Sequence, residues 1–115
     1  MTGGDQSRRG VPVAGARHED PAIDEAALAA ARDADRLLGE ARARGAERWV
    51  AYLEPLPDRL RDDDLTDLRG TALRARAAYG ARDSIRDVLP PTVTEPFLRA
   101  IDRLLKLIAR REANR

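Results

Sequence analysis

Few residues of this 115-residue chain have the types and spacing that could do chemistry. Three consecutive carboxylates, Asp62, Asp63 and Asp64, could hold Mg²⁺ or Ca²⁺. They lack the ligand spacing, the central glycine and the terminal glutamate of an EF-hand loop, so we interpret them as a solvated turn that caps a helix. His18 is the only histidine and the chain has no cysteine, so no transition-metal site is readable.

Motifs for nucleophilic catalysis and phosphate binding are also missing from the sequence. Ser84 has no candidate base nearby and lies in no GxSxG turn, so we predict that it caps a helix. Neither a P-loop nor a GxGxxG motif occurs. We therefore expect no catalytic residue, no cofactor and no metal, and we predict that the chain is not an enzyme.

Four basic side chains of the last predicted helix form the strongest functional lead. Spaced 4, 3 and 4 residues apart, they fall within an arc of about 60° at 100° per residue. This basic stripe consists of Arg99, Arg103, Lys106 and Arg110. Side chains of this type contact acidic proteins and nucleic-acid phosphates. The alternatives are a solvated face with cations suited to the helix dipole, and, less favoured because the apolar side lacks tryptophan, a membrane surface.

The opposite side of the same helix carries most of the bulky apolar side chains of the chain. This apolar face consists of Phe97, Leu98, Ile101, Leu104, Leu105 and Ile108. Alanine is the commonest apolar residue elsewhere, and an alanine buries little area. We therefore expect the apolar face to be the main hydrophobic anchor, packed either on its own chain or on a second copy in a homo-oligomer.

Composition and charge exclude several classes of protein. The net charge is only +1, which argues against a globally steered polyanion binder, although residues 97–115 carry +4 and residues 1–96 carry −3. No apolar run approaches the ~20 residues of a membrane span, and no signal peptide is recognisable. We expect a cytoplasmic protein, and the 20 arginines beside a single lysine are typical of G+C-rich bacteria.

Helical periodicity runs through most of the chain, with capping residues at its starts. Asp20-Pro21 opens a predicted helix over residues 21–53, and Asp64 opens another over 64–89 that kinks or breaks near Gly80. Thr94 is the predicted cap of the last helix, residues 95–111. No strand-like alternation occurs.

These helices predict an all-α fold. We expect a single helical domain over residues 20–113, arranged as an antiparallel three-helix bundle or a helical-hairpin dimer, after a disordered tail over residues 1–19. The function that fits best is a non-enzymatic protein-interaction module, such as an adaptor, regulator or assembly subunit, that self-associates. The alternative is a nucleic-acid-associated protein that uses the basic stripe.

Overall fold

The computed structural model describes residues 16–114, and within this range the chain is all-α, without strands. Two 3-10 turns, Arg17–Glu19 and Ile85–Asp87, accompany the helices. The helices are α1 (Pro21–Ala43), α2 (Glu47–Leu53), α3 (Leu56–Asp62), α4 (Leu65–Ala77) and α5 (Pro91–Ala113). None of these described helices is both long and apolar enough to cross a membrane.

The starts of α1 and α4 follow from local side-chain capping. The Asp20 carboxylate accepts from the backbone N–H of Ile23 at 3.2 Å, and the Asp64 carboxylate accepts from that of Asp67 at 2.9 Å. Each bond satisfies one of the backbone donors that a helix leaves free in its first turn. Both caps are those that the sequence indicates.

The start of α5 differs from the sequence prediction, because the helix begins at Pro91 and Thr94 is not its cap. Proline suits the first helical position, where its missing N–H removes no bond and its φ is already helical. Thr94 is instead buried within the first turns, and its carbonyl accepts a 2.6 Å hydrogen bond from the Tyr79 hydroxyl.

The first helix ends at Ala43, so the predicted continuous helix over 21–53 is wrong. Gly45 has a φ of +66°. Its N–H donates to the Arg42 carbonyl at 3.1 Å, and the next N–H, of Ala46, donates to the Ala41 carbonyl at 3.0 Å. This pair of bonds is a Schellman motif, which needs a left-handed residue that glycine supplies without strain.

Beyond this turn, α2 and α3 run back along α1. Arg42 pairs with Glu54 at 3.1 Å near one end of α1, and Arg61 of α3 pairs with Asp35 further toward the start of α1. Residue numbers fall along α1 as those of their partners rise along α2 and α3, so the segment formed by α2 and α3 is antiparallel to α1. The two short helices therefore act as one returning leg.

The helices close a four-membered ring, so the predicted antiparallel three-helix bundle or helical-hairpin dimer is not confirmed. α1 contacts α3 and α5, and α4 contacts the same two helices. α4 and α5 are antiparallel, because Arg76 pairs with Asp102 while Arg69 lies opposite Glu112. One buried cluster includes residues from all five helices, and the small alanines of α1 allow its neighbours to approach closely.

The helix predicted over 64–89 ends at Ala77, as α4. Near Gly80 the chain therefore has the predicted break and not a kink. The turn that follows includes Asp83 at a φ of 51°. Ser84 then begins the second 3-10 turn with a capping box, in which its Oγ accepts from the Arg86 N–H and its own N–H donates to Asp87. This turn leads the chain into α5.

Of the predicted disordered tail, residues 1–15 lie outside the described residues, but Arg17–Glu19 form an ordered turn. The Arg17 side chain is only 11% exposed. Its Nη1 donates to the carbonyls of Leu60 at 2.8 Å and Asp63 at 2.9 Å, while Nε donates to Asp24 at 2.9 Å. Arg17 therefore caps the carboxyl end of α3 and is part of the domain.

Candidate functional site

The apolar face of α5 lies inside the domain. Phe97, Ile101 and Leu104 are completely buried and Ile108 nearly so, whereas Leu98 and Leu105 are half-buried at the margin of the core. α5 contacts α1 and α4 of the same chain. The main hydrophobic anchor predicted from the sequence is thus used within one chain.

The basic stripe lies on the opposite side of α5. Its four side chains, Arg99, Arg103, Lys106 and Arg110, are all exposed. From the first to the last, the stripe extends for about 16 Å at 1.5 Å per residue. A rigid, packed helix therefore presents four cations in one line, which long side chains on a loop would not do.

Charged residues on the two flanks of α5 are neutralised by neighbouring helices. On one flank, Asp102 pairs with Arg76 at 2.9 Å, and Arg69 approaches Glu112 to 4.0 Å. On the other flank, Arg111 pairs with Asp20 at 3.5 Å. These contacts are interhelical, so they hold α5 in its rotation about its own axis and thereby aim the stripe outward.

The stripe itself contrasts with these flanks. Among residues 16–114, none of its four side chains makes an ion pair or a side-chain hydrogen bond. Four like charges on adjacent turns repel one another by a few tenths of a kcal/mol per pair. An anionic partner would relieve this repulsion, so the stripe is electrostatically complementary to an acidic surface.

At its amino-terminal end the stripe adjoins a carboxylate that is already satisfied. Arg86 donates through Nε and Nη2 to the two oxygens of Glu95, each at 2.9 Å, and the Thr94 hydroxyl adds a bond of 3.0 Å. Mainly because of the bonds from Arg86, the pKa of Glu95 is lowered to about 2. Glu95 is thus paired with Arg86, and the charge of Arg99 also lowers its pKa to a smaller extent without forming an ion pair with it.

The same arginine secures the turn before α5 to the core. The Arg86 guanidinium carbon lies 5.4 Å from the centre of the Tyr79 ring, and burial raises the pKa of that phenol well above its usual range. Arg86 thereby joins the 3-10 turn, the end of α4 and the first turns of α5. These contacts fix the position of α5 along its own axis, and with it the position of the stripe.

A small open pocket lies beside the far end of the stripe, where the start of α1 meets the end of α5. Its volume is about 280 Å³. The apolar part of its lining comes from Ala22, Ile23 and Leu107, and the polar part from Asp20, Arg110, Arg111 and Asn114. The sequence contains no signal for this pocket, because it depends on which ends of the helices meet.

Three of the other residues singled out in the sequence, Asp63, Asp64 and Ser84, have structural roles. Asp63 accepts a short hydrogen bond from Thr71, and Asp64 caps α4. His18 is exposed in the first 3-10 turn, and Ser84 caps the second. Within residues 16–114, no three His, Cys, Asp or Glu side chains lie close enough to hold a metal ion together.

The chain was compared with known families, curated proteins and solved structures. No family model matches it, and neither a curated protein nor a solved structure shows a significant match. Any function proposed for the chain therefore rests on the chemistry of its surface.

Proposed function

We propose that this chain is a non-enzymatic helical interaction module, an adaptor, regulator or assembly subunit, whose basic stripe binds an acidic surface of a partner protein. The observation that carries the proposal is the contrast along α5. Charged residues on its flanks are paired with other helices, whereas Arg99, Arg103, Lys106 and Arg110 are exposed and unpaired within residues 16–114.

The organisation of the domain supports binding through a rigid surface. The stripe lies on the back of a helix whose opposite face is completely buried at Phe97, Ile101 and Leu104. Little backbone entropy would be lost when a partner binds such a surface, so a larger share of the electrostatic attraction remains as affinity. Exposed charges of this kind mainly raise the association rate and select the partner.

A nucleic-acid partner is the second candidate, because the line of cations is also suited to phosphates. The chain as a whole carries a net charge of only +1. Trp49 and Tyr79 are buried, and the hydroxyl of the half-buried Tyr52 donates to the Arg74 carbonyl, so these rings form no exposed platform for unpaired bases beside the cations. These features favour a protein partner.

The test compares two triple charge reversals of the full chain. Arg99→Glu/Arg103→Glu/Arg110→Glu removes the stripe, and the matched control makes the same change at three exposed arginines elsewhere, Arg32, Arg48 and Arg82. None of these three makes an ion pair with another described residue. Circular dichroism first establishes that both variants fold.

Each protein is then used to capture partners from nuclease-treated lysate of the source cell, and duplex DNA and single-stranded RNA are titrated separately at low salt. We expect an acidic protein that is retained by the wild type and the control but lost from the stripe variant. Stripe-dependent binding of DNA or RNA without such a protein would instead favour the second candidate. If the stripe variant binds everything that the control binds, the proposal is wrong.

Self-association is a separate part of the proposal. The alanine-rich composition favours it, but α5 buries its apolar face within its own chain, so a dimer would use another surface. Elsewhere within residues 16–114, three large apolar side chains are exposed, namely Leu28, Leu73 and Val88. Native mass spectrometry of the full chain decides between monomer and oligomer.

A further inference from the structure

A row of half-buried apolar residues lies beside the basic stripe. Pro96, Ala100 and Leu107 fall within an arc of about 40° on α5, next to the arc of the stripe, at 100° per residue. All three are partly exposed. Because Leu107 shares a pocket with Ala22 and Ile23, this row lies on the side of α5 that faces α1.

Leu107, the last residue of this row, lines that pocket together with Arg110 of the stripe. The lining of the pocket also includes Ile23, which is almost fully buried, and polar groups from Asp20, Arg111 and Asn114. At about 280 Å³, the pocket has room for a single aliphatic side chain rather than for a large ligand. The row of half-buried apolar residues therefore runs beside the cations along α5, and the pocket adjoins them only at the Arg110 end.

We propose that the partner presents an acidic amphipathic helix, which lies along α5 with its carboxylates on the basic stripe and one aliphatic side chain in the pocket formed by Ala22, Ile23 and Leu107. This inference rests on the proposed function and specifies the partner's chemistry. A helix laid into a groove is recognised by anchors three, four and seven residues apart, the same periods that separate the cations. A nucleic-acid backbone has no aliphatic group for the pocket.

The charge pattern of the site sets the pattern of the partner. Arg99, Arg103, Lys106 and Arg110 follow spacings of 4, 3 and 4. On a second helix packed lengthwise, glutamates at the same spacings stand opposite them, whichever way the helix runs, because this pattern is the same in both directions. The pocket breaks the symmetry, since it lies at the Arg110 end only.

The probes are two labelled helical peptides of about 18 residues, long enough for five turns. Both have an alanine-rich background and glutamates at the spacings of the stripe, and they differ at one position near the end, which is leucine in one and alanine in the other. Fluorescence anisotropy at low salt measures their affinity for the full chain. We expect the leucine peptide to bind about fivefold more tightly, because it buries several additional methyl and methylene groups.

Pocket filling provides the matched variant. Ala22→Phe places a ring in the pocket without changing the charge, and Ala43→Phe places one at an exposed position at the other end of α1. We expect Ala22→Phe to abolish the advantage of the leucine peptide and leave the alanine peptide unaffected, while Ala43→Phe changes neither.

The outcomes separate this inference from the proposed function. If both peptides bind equally and the stripe reversal weakens both, the pocket has no role and the inference is wrong, while the proposed function survives. If neither peptide binds at low salt, both are wrong. If Ala22→Phe converts an oligomer to a monomer in native mass spectrometry, a second copy of the chain occupies the pocket, and a partner helix is excluded.

Discussion

Arg17 allows the sharpest test of how the domain is held together. Its guanidinium donates to the carbonyls of Leu60 and Asp63 and pairs with Asp24, while its side chain is only 11% exposed. Hydrogen bonds from a charged group contribute about 1.5–3 kcal/mol each when one partner is removed. The Asp24 carboxylate is more exposed, so its pairing adds less than about 1 kcal/mol.

One contribution of Arg17 lowers the free energy of unfolding instead of raising it. The Nη2 atom of Arg17 is buried and has no hydrogen-bond partner among residues 16–114, and an unsatisfied buried donor costs about 1–3 kcal/mol. Truncation to alanine removes this cost, and water reaches the two carbonyls that are released. We therefore expect Arg17→Ala to lower the free energy of unfolding by about 2 kcal/mol, which corresponds to roughly 10 °C in Tm for a domain of this size.

Urea unfolding followed by circular dichroism measures this change, with an unchanged m value as the sign that only stability is affected. Arg17→Lys keeps the charge but cannot span the same three acceptors, so it should lie between alanine and wild type. His18→Ala, at the exposed neighbouring position, should remain within about 0.5 kcal/mol of wild type. A similarly small effect for Arg17→Ala would refute the capping role.

Three further predictions concern the helix break, the Glu95 contact and the core. Gly45→Ala should destabilise the domain by about 1 kcal/mol, because an L-residue is strained at its φ of +66°. Gly39→Ala, within α1 and free of steric contact, should instead stabilise it by up to about 1 kcal/mol. The midpoints of urea unfolding should therefore shift in opposite directions for the two variants. Since the folded-state pKa of Glu95 is lowered, its contact with Arg86 stabilises the fold above the unfolded pKa of about 4.5 and is lost as the pH falls toward about 2. Carboxyl ¹³C NMR should therefore show Glu95 titrating near pH 2 in wild type and closer to 4.5 in Arg86→Ala, and an unshifted midpoint would contradict the assignment. Ile101→Asp should abolish cooperative thermal unfolding, because Ile101 is completely buried. Burying an unpaired charge there would offset the greater part of the roughly 5–15 kcal/mol that typically stabilises a domain. A folded variant with an unchanged Tm would exclude this.

The elements that could be predicted from the sequence are those decided by neighbouring residues. Asp20 and Asp64 cap their helices because a short acceptor side chain reaches the free N–H groups of the next turn. Periodicity alone misses the end of α1, because Gly45 falls in register with the apolar residues of that helix. A glycine is also a helix-stop signal, and at Gly45, whose φ is +66°, that signal is the correct one.

Of the candidate site, the residues of the stripe could be predicted from the sequence, but their surroundings could not. Periodicity alone separates the apolar face of α5 from the basic stripe, because both lie on one helix. Which charges become neutralised depends on contacts between helices, such as those of Arg76 with Asp102 and of Arg86 with Glu95. The pocket at Leu107 likewise requires the ends of two helices that are distant in sequence to meet.

The pairing of Asp20 with Arg111 also has a topological consequence. It joins residues 91 positions apart at one end of the ring, so the polypeptide enters and leaves the folded unit at nearly the same place. Such a unit can be inserted into a surface loop of a host protein, or its ends can be linked and new ones opened at the Gly45 turn. A force applied between its two ends would peel α1 and α5 apart one turn at a time rather than shear their whole interface at once.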